Sequence, residues 1–189
     1  MSAYSIESFV KDLKSITDVE TDDRAILKQV TPLAVRLAED TSWVKPDYYS
    51  GSEEQGFGVT ILHEGDDYEL LVETVCWLPG RGVTPHDHQT WGVVVGLDGA
   101  EKNVNWRRRD DGAKAGYADL EERNEVIVTR GQFCTFMPDD IHSVRNDGDT
   151  PSVSLHMYGR VLAKTARSEF DPINKIQRPC PQRVRKPAN

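Results

Sequence analysis

Residues 80–99 read GRGVTPHDHQTWGVVVGLDG, and the triplet His86-Asp87-His88 inside them governs the reading of the whole chain. On a strand, residues two apart face the same side, so both imidazoles can reach one ion while Asp87 points aside. A third histidine, His142, lies in a second stretch, residues 131–146, GQFCTFMPDDIHSVRN, directly after Pro138-Asp139-Asp140-Ile141. Imidazole suits Fe(II), Zn(II), Cu(II) or Ni(II), and three neutral donors leave the ion its charge and some open positions. Strands often carry an HxH pair by chance, and ordinary surface or hydrogen-bonded histidines are the competing reading. The spacing of the two stretches taken together favours a metal site.

Working outward, the apolar residues alternate. Strand-like segments 57–63 and 68–77 flank Glu64-Gly65-Asp66-Asp67, a good hairpin turn. Further runs cover 91–97, 100–108, 124–129, 132–137, 141–146 and 152–159. Between them stand turn-rich pieces such as Arg109-Asp110-Asp111-Gly112 and Asn146-Asp147-Gly148-Asp149. Many short strands with short turns point to a mainly β domain, a small antiparallel barrel or jelly roll.

The first forty-odd residues have a different period. Ile6, Phe9, Val10, Leu13 and Ile16 form a helical stripe beginning just after Ser5, and Ile26, Leu27 and Val30 form a second after Thr21-Asp22-Asp23. Thr31-Pro32 reads as an N-cap and first helical position, opening a short third helix with Leu33, Val35 and Leu37. The proline-rich, basic end of the chain reads as an extended surface strap. The expected organisation is one domain: a helical segment 1–45, a β-barrel 46–165 and a C-terminal strap 166–189.

A chain of 189 residues suffices for one sizeable core. A net charge of −8 gives a poor field for nucleic acid or an anionic bilayer. No apolar run is long enough for a membrane span, and the N-terminus does not read as a secretory signal. Cys76, Cys134 and Cys180 are an odd number without CxxC spacing, which suggests a reducing cytoplasm and neither a disulfide framework nor a zinc site.

Outside the histidine stretches, Ser154-Leu155-His156-Met157-Tyr158 carries the most specific pattern. Alternation puts Ser154, His156 and Tyr158 on one face. A serine can fix the imidazole tautomer, and the imidazole can then hold the phenol as an oriented O–H donor. A polar outward face on an edge strand is the plainer alternative.

Gly80, His86, His88 and Gly99 fall in register with the first cupin motif, which the stretch therefore resembles. Gly131, Pro138, His142 and Asn146 resemble the second motif, with Asp140 in place of its glycine near the histidine and the spacing one residue off. Gly92 stands where that motif has its acidic ligand, leaving three histidines. A three-histidine cupin with SxHxY, and with Cys76-Trp77 ahead of HDH, is similar to the thiol dioxygenases, the family of cysteine dioxygenase and 3-mercaptopropionate dioxygenase. The likeness covers about residues 58–160. It implies a cupin double-stranded β-helix, Fe(II) held by His86, His88 and His142, and an outer relay of Ser154, His156 and Tyr158. The implied substrates are a small thiol and O2, and the product a sulfinic acid.

Two departures matter. Trp91-Gly92-Val93 excludes the cysteine–tyrosine cross-link of the animal enzymes, so the chain looks more like bacterial members. On the early strand, Gly58-Val59-Thr60-Ile61 lacks the arginine or glutamine that reads the substrate carboxylate. Arg160, with the strand parity of Tyr158, and Arg81, just before HDH, are the substitute candidates, and Trp91 is a candidate pocket wall. Two other functions fit the same ligands: a three-histidine dioxygenase cleaving C–C bonds of β-diketones, and a non-catalytic metal-binding cupin.

Overall fold

A computed structural model describes residues 4–188. Two helices come first. Helix α1, Ile6–Thr17, is capped by the Ser5 hydroxyl, which accepts from the Ser8 amide at 3.1 Å, and it buries Phe9 and Leu13 completely. Helix α2, Asp23–Glu39, is capped by Asp22 on the Ala25 amide at 2.8 Å.

The third helix expected at Thr31-Pro32 does not exist: both residues lie inside α2. An internal proline removes one backbone bond, at a cost of about 3 kcal/mol. The stripe Ile26, Leu27, Val30, Ala34, Leu37 and Ala38 stays in phase across it and is buried throughout. Each large apolar side chain so buried contributes roughly 1.5–3 kcal/mol, so the packing outweighs the break. The Thr31 hydroxyl turns back to the Leu27 carbonyl at 2.6 Å, which satisfies it inside the core.

Twelve strands follow: β1 Phe57–Glu64, β2 Glu69–Trp77, β3 Gly82–His86, β4 Gly92–Asp98, β5 Ala100–Arg108, β6 Leu120–Thr129, β7 Phe133–Phe136, β8 Ile141–Arg145, β9 Ser152–Arg160, β10 Ser168–Asp171, β11 Ile176–Pro179 and β12 Lys186–Pro187. They make two six-stranded sheets, ordered β12-β1-β2-β9-β4-β7 and β11-β10-β3-β8-β5-β6. This is the mainly β jelly-roll expected from the alternation, with the helices added at the N-terminus.

The helices cover the outer face of the first sheet, where Phe9, Leu13 and the α2 stripe pack on Val72, Val93, Val95, Leu155 and Met157. That cover explains why β2, β4 and β9 are buried along nearly their whole length. One face of each meets the helices, and the other faces the barrel interior. On β9, Leu155 and Met157 take the helix side, which leaves Ser154, His156 and Tyr158 for the interior.

The chain end is more than a surface strap. Strand β10 pairs with β11 and, through Glu169 opposite His86, with β3. Strand β12 runs parallel to β1, with Lys186 opposite Thr60. The tail thus closes an edge of each sheet, and its course between β11 and β12 carries Arg183 and Arg185 over the barrel mouth.

Candidate metal centre and its cavity

His86 on β3 and His142 on β8 are directly opposed in the antiparallel register, and His88 follows just past the end of β3. The three rings cluster, with centroids 4.6 Å apart for His86–His142 and 5.0 Å for each of the other two pairs. One ring nitrogen from each lies within 4.8 Å of the others, a geometry able to hold a metal ion. Asp87, as its parity requires, turns away: its carboxylate accepts from the Ser168 amide at 2.9 Å and fixes the HDH turn to β10.

The outer hydrogen bonds set the tautomers. His86 Nδ1 lies 2.9 Å from the Thr84 carbonyl, an acceptor only, so Nδ1 carries the proton and Nε2 keeps its lone pair. His142 Nδ1 lies 2.9 Å from Asn103 Oδ1, while the Asn103 amide donates to Glu101 Oε1 at 2.8 Å. The carboxylate thereby fixes the amide's orientation, and His142 Nδ1 must donate. That leaves His142 Nε2 buried without a partner, and His88 Nδ1 is likewise unpartnered. Burial keeps all three imidazoles neutral, holding His86 down to about 4 and the other two well below the usual histidine range. Neutral imidazoles with unsatisfied buried nitrogens and no acid among them fit a borderline cation such as Fe(II) or Zn(II).

Gly92 completes the arrangement by having no side chain. A Cβ there would lie 2.9 Å from Tyr158 Cδ1, so the place of the motif's usual acid is taken by the phenol ring. The Tyr158 ring in turn lies 4.9 Å from that of His88.

A continuous hydrogen-bond chain runs behind the centre. Ser154 Oγ is 2.8 Å from His156 Nε2, and His156 Nδ1 is 2.9 Å from the Tyr158 hydroxyl. Sequence reasoning missed where this chain ends. Ser154 donates to Glu101 Oε2 at 2.6 Å, and Trp77 Nε1 donates to the same oxygen at 2.9 Å. Glu101 is 2 % exposed and Asn103 is fully buried. Both sit two apart on the inward face of β5, so a polar pair at inward parity was the signal available for finding them.

Burial raises the Glu101 carboxyl, but the three donors aimed at it, from Ser154, Asn103 and Trp77, favour the carboxylate, which can only accept, and this reverses the expected direction of the chain. With its proton given to Glu101, Ser154 Oγ accepts from His156 Nε2–H, and His156 Nδ1 accepts from the Tyr158 O–H. The phenol is then turned toward His156 as donor, and its oxygen remains an acceptor for other groups in the cavity. Burial, with the nearby Glu73 charge, holds the Tyr158 hydroxyl well above the usual phenol range, so it stays protonated.

The three substrate candidates read from the sequence lie elsewhere. Arg81 is exposed, donating to the Glu53 carbonyl at 2.7 Å. Arg160 is exposed at the end of β9, beyond the barrel interior. Trp91 is buried beneath the helices on the outer face of the sheet, where its ring occupies the space beside Gly159. The cations that do line the histidine cavity are Arg167, Arg183 and Arg185, all C-terminal to the barrel strands, with Glu73 facing them from β2. Arg183 pairs with Glu169 at 3.3 Å and Arg185 with Glu64 at 3.1 Å. Arg167 makes no ion pair and no side-chain hydrogen bond among the described residues.

Among solved structures, the chain is similar to an uncharacterized conserved protein with a double-stranded β-helix domain from Klebsiella pneumoniae (11 % identity, 70 % of this chain and 99 % of that one, TM-score 0.48). It is also similar to the Cupin_2 domain of an XRE family transcriptional regulator from Enterobacter cloacae (19 %, 55 % and 96 %, TM-score 0.39). A cupin superfamily protein from Desulfitobacterium hafniense gives 12 % identity over 59 % of this chain and 83 % of that one, with a TM-score of 0.41. The family described as cysteine dioxygenase type I matches residues 2–169. A match of that extent, over a barrel that gathers three histidines at its centre, places the chain in the cysteine dioxygenase type I family.

Proposed function

We propose that the protein is a non-haem Fe(II) thiol dioxygenase, converting a small thiol and O2 into the sulfinic acid with both oxygen atoms retained. The observation that carries this reading is a neutral three-histidine set sharing one cavity with Tyr158 and His156. His86, His88 and His142 would hold the iron, whose chemistry is to let a closed-shell thiol react with triplet O2.

The chain's own groups do the rest. Three uncharged ligands, His86, His88 and His142, would leave a bound ion its full positive field, which would favour the thiolate form of a thiol beside it. The Tyr158 oxygen accepts a hydrogen bond from the substrate side while its proton is held by His156, and the Ser154–Glu101 end fixes the imidazole that holds it. Losing such an oriented contact in a closed site costs on the order of 1–3 kcal/mol. Arg167 takes over the carboxylate-reading role that the early strand lacks, since inward-facing Phe57 and Val59 are apolar. Phe57, Val59, Val75 and Trp77 give the cavity an apolar wall that excludes bulk water.

Three free cysteines and an acidic chain are consistent with a reducing cytoplasm and with small-molecule partners only. No helix among the described residues is long and apolar enough to cross a membrane.

The decisive assay is anaerobic Fe(II) loading, exposure to air with a panel of thiols, and mass spectrometry for products heavier by two oxygen atoms. Sulfinate from at least one thiol is expected. Oxygen uptake with β-diketones alone, or thiol binding without any uptake, would replace this function with C–C cleavage or with a non-catalytic role.

A further inference from the structure

Residues 181–185 cross the mouth of the histidine cavity without belonging to any helix or strand. None of residues 181–188 is buried, and Val184, the largest apolar side chain among them, is 77 % exposed. The segment therefore has no hydrophobic anchor, and its hold on the barrel is polar. Yet Cys180, Gln182, Arg183 and Arg185 all line the cavity.

Upstream, the Cys180 amide donates to the Arg167 carbonyl at 2.9 Å, and Pro179 and Pro181 on either side keep the chain extended and stiff. Downstream, β12 pairs only two residues with β1, and the Lys186 ammonium donates to the Asp47 carbonyl at 2.8 Å and to Ser50 Oγ at 2.7 Å. Between these ends one side chain grips the backbone. Gln55 Oε1 accepts from the Val184 amide at 3.0 Å, and Gln55 Nε2 donates to the Val184 carbonyl at 3.4 Å. The ion pairs of Arg183 and Arg185 lie on the same stretch. Gln55 is itself held firmly: the Gly56 amide closes its turn on the Ser52 carbonyl at 2.7 Å, and Arg81 donates to the Glu53 carbonyl at 2.7 Å. Arg81 also packs on Gly56, where a Cβ would lie 2.8 Å from its Nε. A fixed catch thus meets a segment with few bonds of its own. Segments held by exposed polar contacts open locally far more readily than the fold as a whole.

We propose that residues 181–188 are a latch over the histidine cavity, with Gln55 as its catch, and that the latch peels from Gln55 and β1 as one piece to admit and release small molecules. The barrel stays folded while it does so. The paired prolines favour movement as a unit, because a stiff arm freed at one point comes away along its length. Closed, the latch keeps bulk water from the apolar wall of Phe57, Val59, Val75 and Trp77. The device is independent of which reaction the cavity beneath it performs.

The test is made on the full chain with Gln55→Ala and Lys186→Ala, which free the latch at two separate points. Hydrogen–deuterium exchange is read at the Ala188 amide, which donates to the Ile61 carbonyl at 2.9 Å and does not touch Gln55. If the latch moves as a unit, this amide should exchange about tenfold faster in Gln55→Ala, while β2 and β9 keep the parent's protection. Alkylation of the half-buried Cys180 thiol by iodoacetamide, followed by peptide mass spectrometry, should speed up by a similar factor in both variants, with buried Cys76 as the control. In the parent, raising salt to about 0.5 M should accelerate it severalfold, because the Arg183 and Arg185 pairs are screened. Fe(II) loaded onto the protein should be withdrawn by a chelator faster from both variants than from the parent. Parental rates of Ala188 exchange and Cys180 alkylation in Gln55→Ala overturn the latch. Alkylation of Cys76 rising in step with Cys180 overturns it too, since the opening would then be global. A loosened segment with an unchanged rate of Fe(II) withdrawal shows that it bars no path, and removes the gating role.

Discussion

The cavity has two unlike ends. At the histidine end, the polar atoms are tied into short, directional bonds: Thr84 to His86, Asn103 to His142, and Glu101 through Ser154 and His156 to Tyr158. One ring nitrogen from each of the three histidines lies within 4.8 Å of the others. At the other end, charge is present but unmatched, with Glu73 and Arg167 uncommitted beside the occupied Arg183 and Arg185. The difference teaches how the work is divided. A metal ion demands fixed ligand geometry and so a rigid second layer, whereas a substrate supplies its own charges and needs poles left open for them.

The largest effect that can break this comparison is at the ligands. His142→Ala removes one of three donors and leaves Asn103 Oδ1 without the imidazole it accepts from. Bound iron measured by elemental analysis should fall to background, and with it all oxygen uptake. Retention of one iron per chain in this variant would show that the three histidines are not the ligand set.

Next comes the relay. Tyr158→Phe keeps the ring packed on His88 and deletes the hydroxyl held by His156. Turnover should drop by roughly 5- to 160-fold, corresponding to about 1–3 kcal/mol, while iron content is unchanged. Glu101→Gln tests the direction of the chain. A glutamine can present its amide to Ser154 and turn every proton around, so kcat should fall by about tenfold or more with iron retained. Unchanged kinetics in Tyr158→Phe would remove the relay, and unchanged kinetics in Glu101→Gln would remove its anchor.

A smaller effect belongs to the opposite end. Arg167→Gln should raise KM for a carboxylate-bearing thiol by about tenfold, with kcat and iron content little altered. If KM is unmoved, the carboxylate is read elsewhere, and the unmatched guanidinium loses its meaning.

How much of this was legible follows the same division. His86, His88 and His142 announce themselves because a strand's two-residue period makes HxH a geometric statement, and β8 brings the third ring opposite the first. The jelly-roll followed from alternation and turns. Ser154, His156 and Tyr158 stood out for the same reason, at one parity on one strand. Glu73 was invisible because a single acid on a strand looks alike whether it faces water or a closed interior. Only the cover of helices and the second sheet decides which. Arg167, Arg183 and Arg185 were missed for a third reason. They reach the barrel mouth because β10, β11 and β12 join sheet edges that lie far away in sequence, and no local pattern encodes that return. Pro32 misled in the opposite direction: its local preference is real, but the stripe buried on both sides of it is worth more.

The smallest expected effect needs no substrate at all. Glu73 is unusual in that burial raises its carboxyl from 4.5 to about 7, against the pull of Arg185 and Arg167 and with a minor push from Glu64. An acid with a higher pKa folded than unfolded holds its proton more tightly in the native state. Its contribution to stability is therefore greatest below about 4.5, declines as pH rises toward 7, and stays flat above that. The decline amounts to something on the order of 3 kcal/mol. Glu73→Gln removes it, so the variant should melt several degrees higher than the parent at pH 8 and at nearly the same temperature at pH 4.5. A variant less stable than the parent at pH 8 would mean that the carboxylate is already satisfied within the protein. The unmatched end of the cavity would then be as fully bonded as the histidine end.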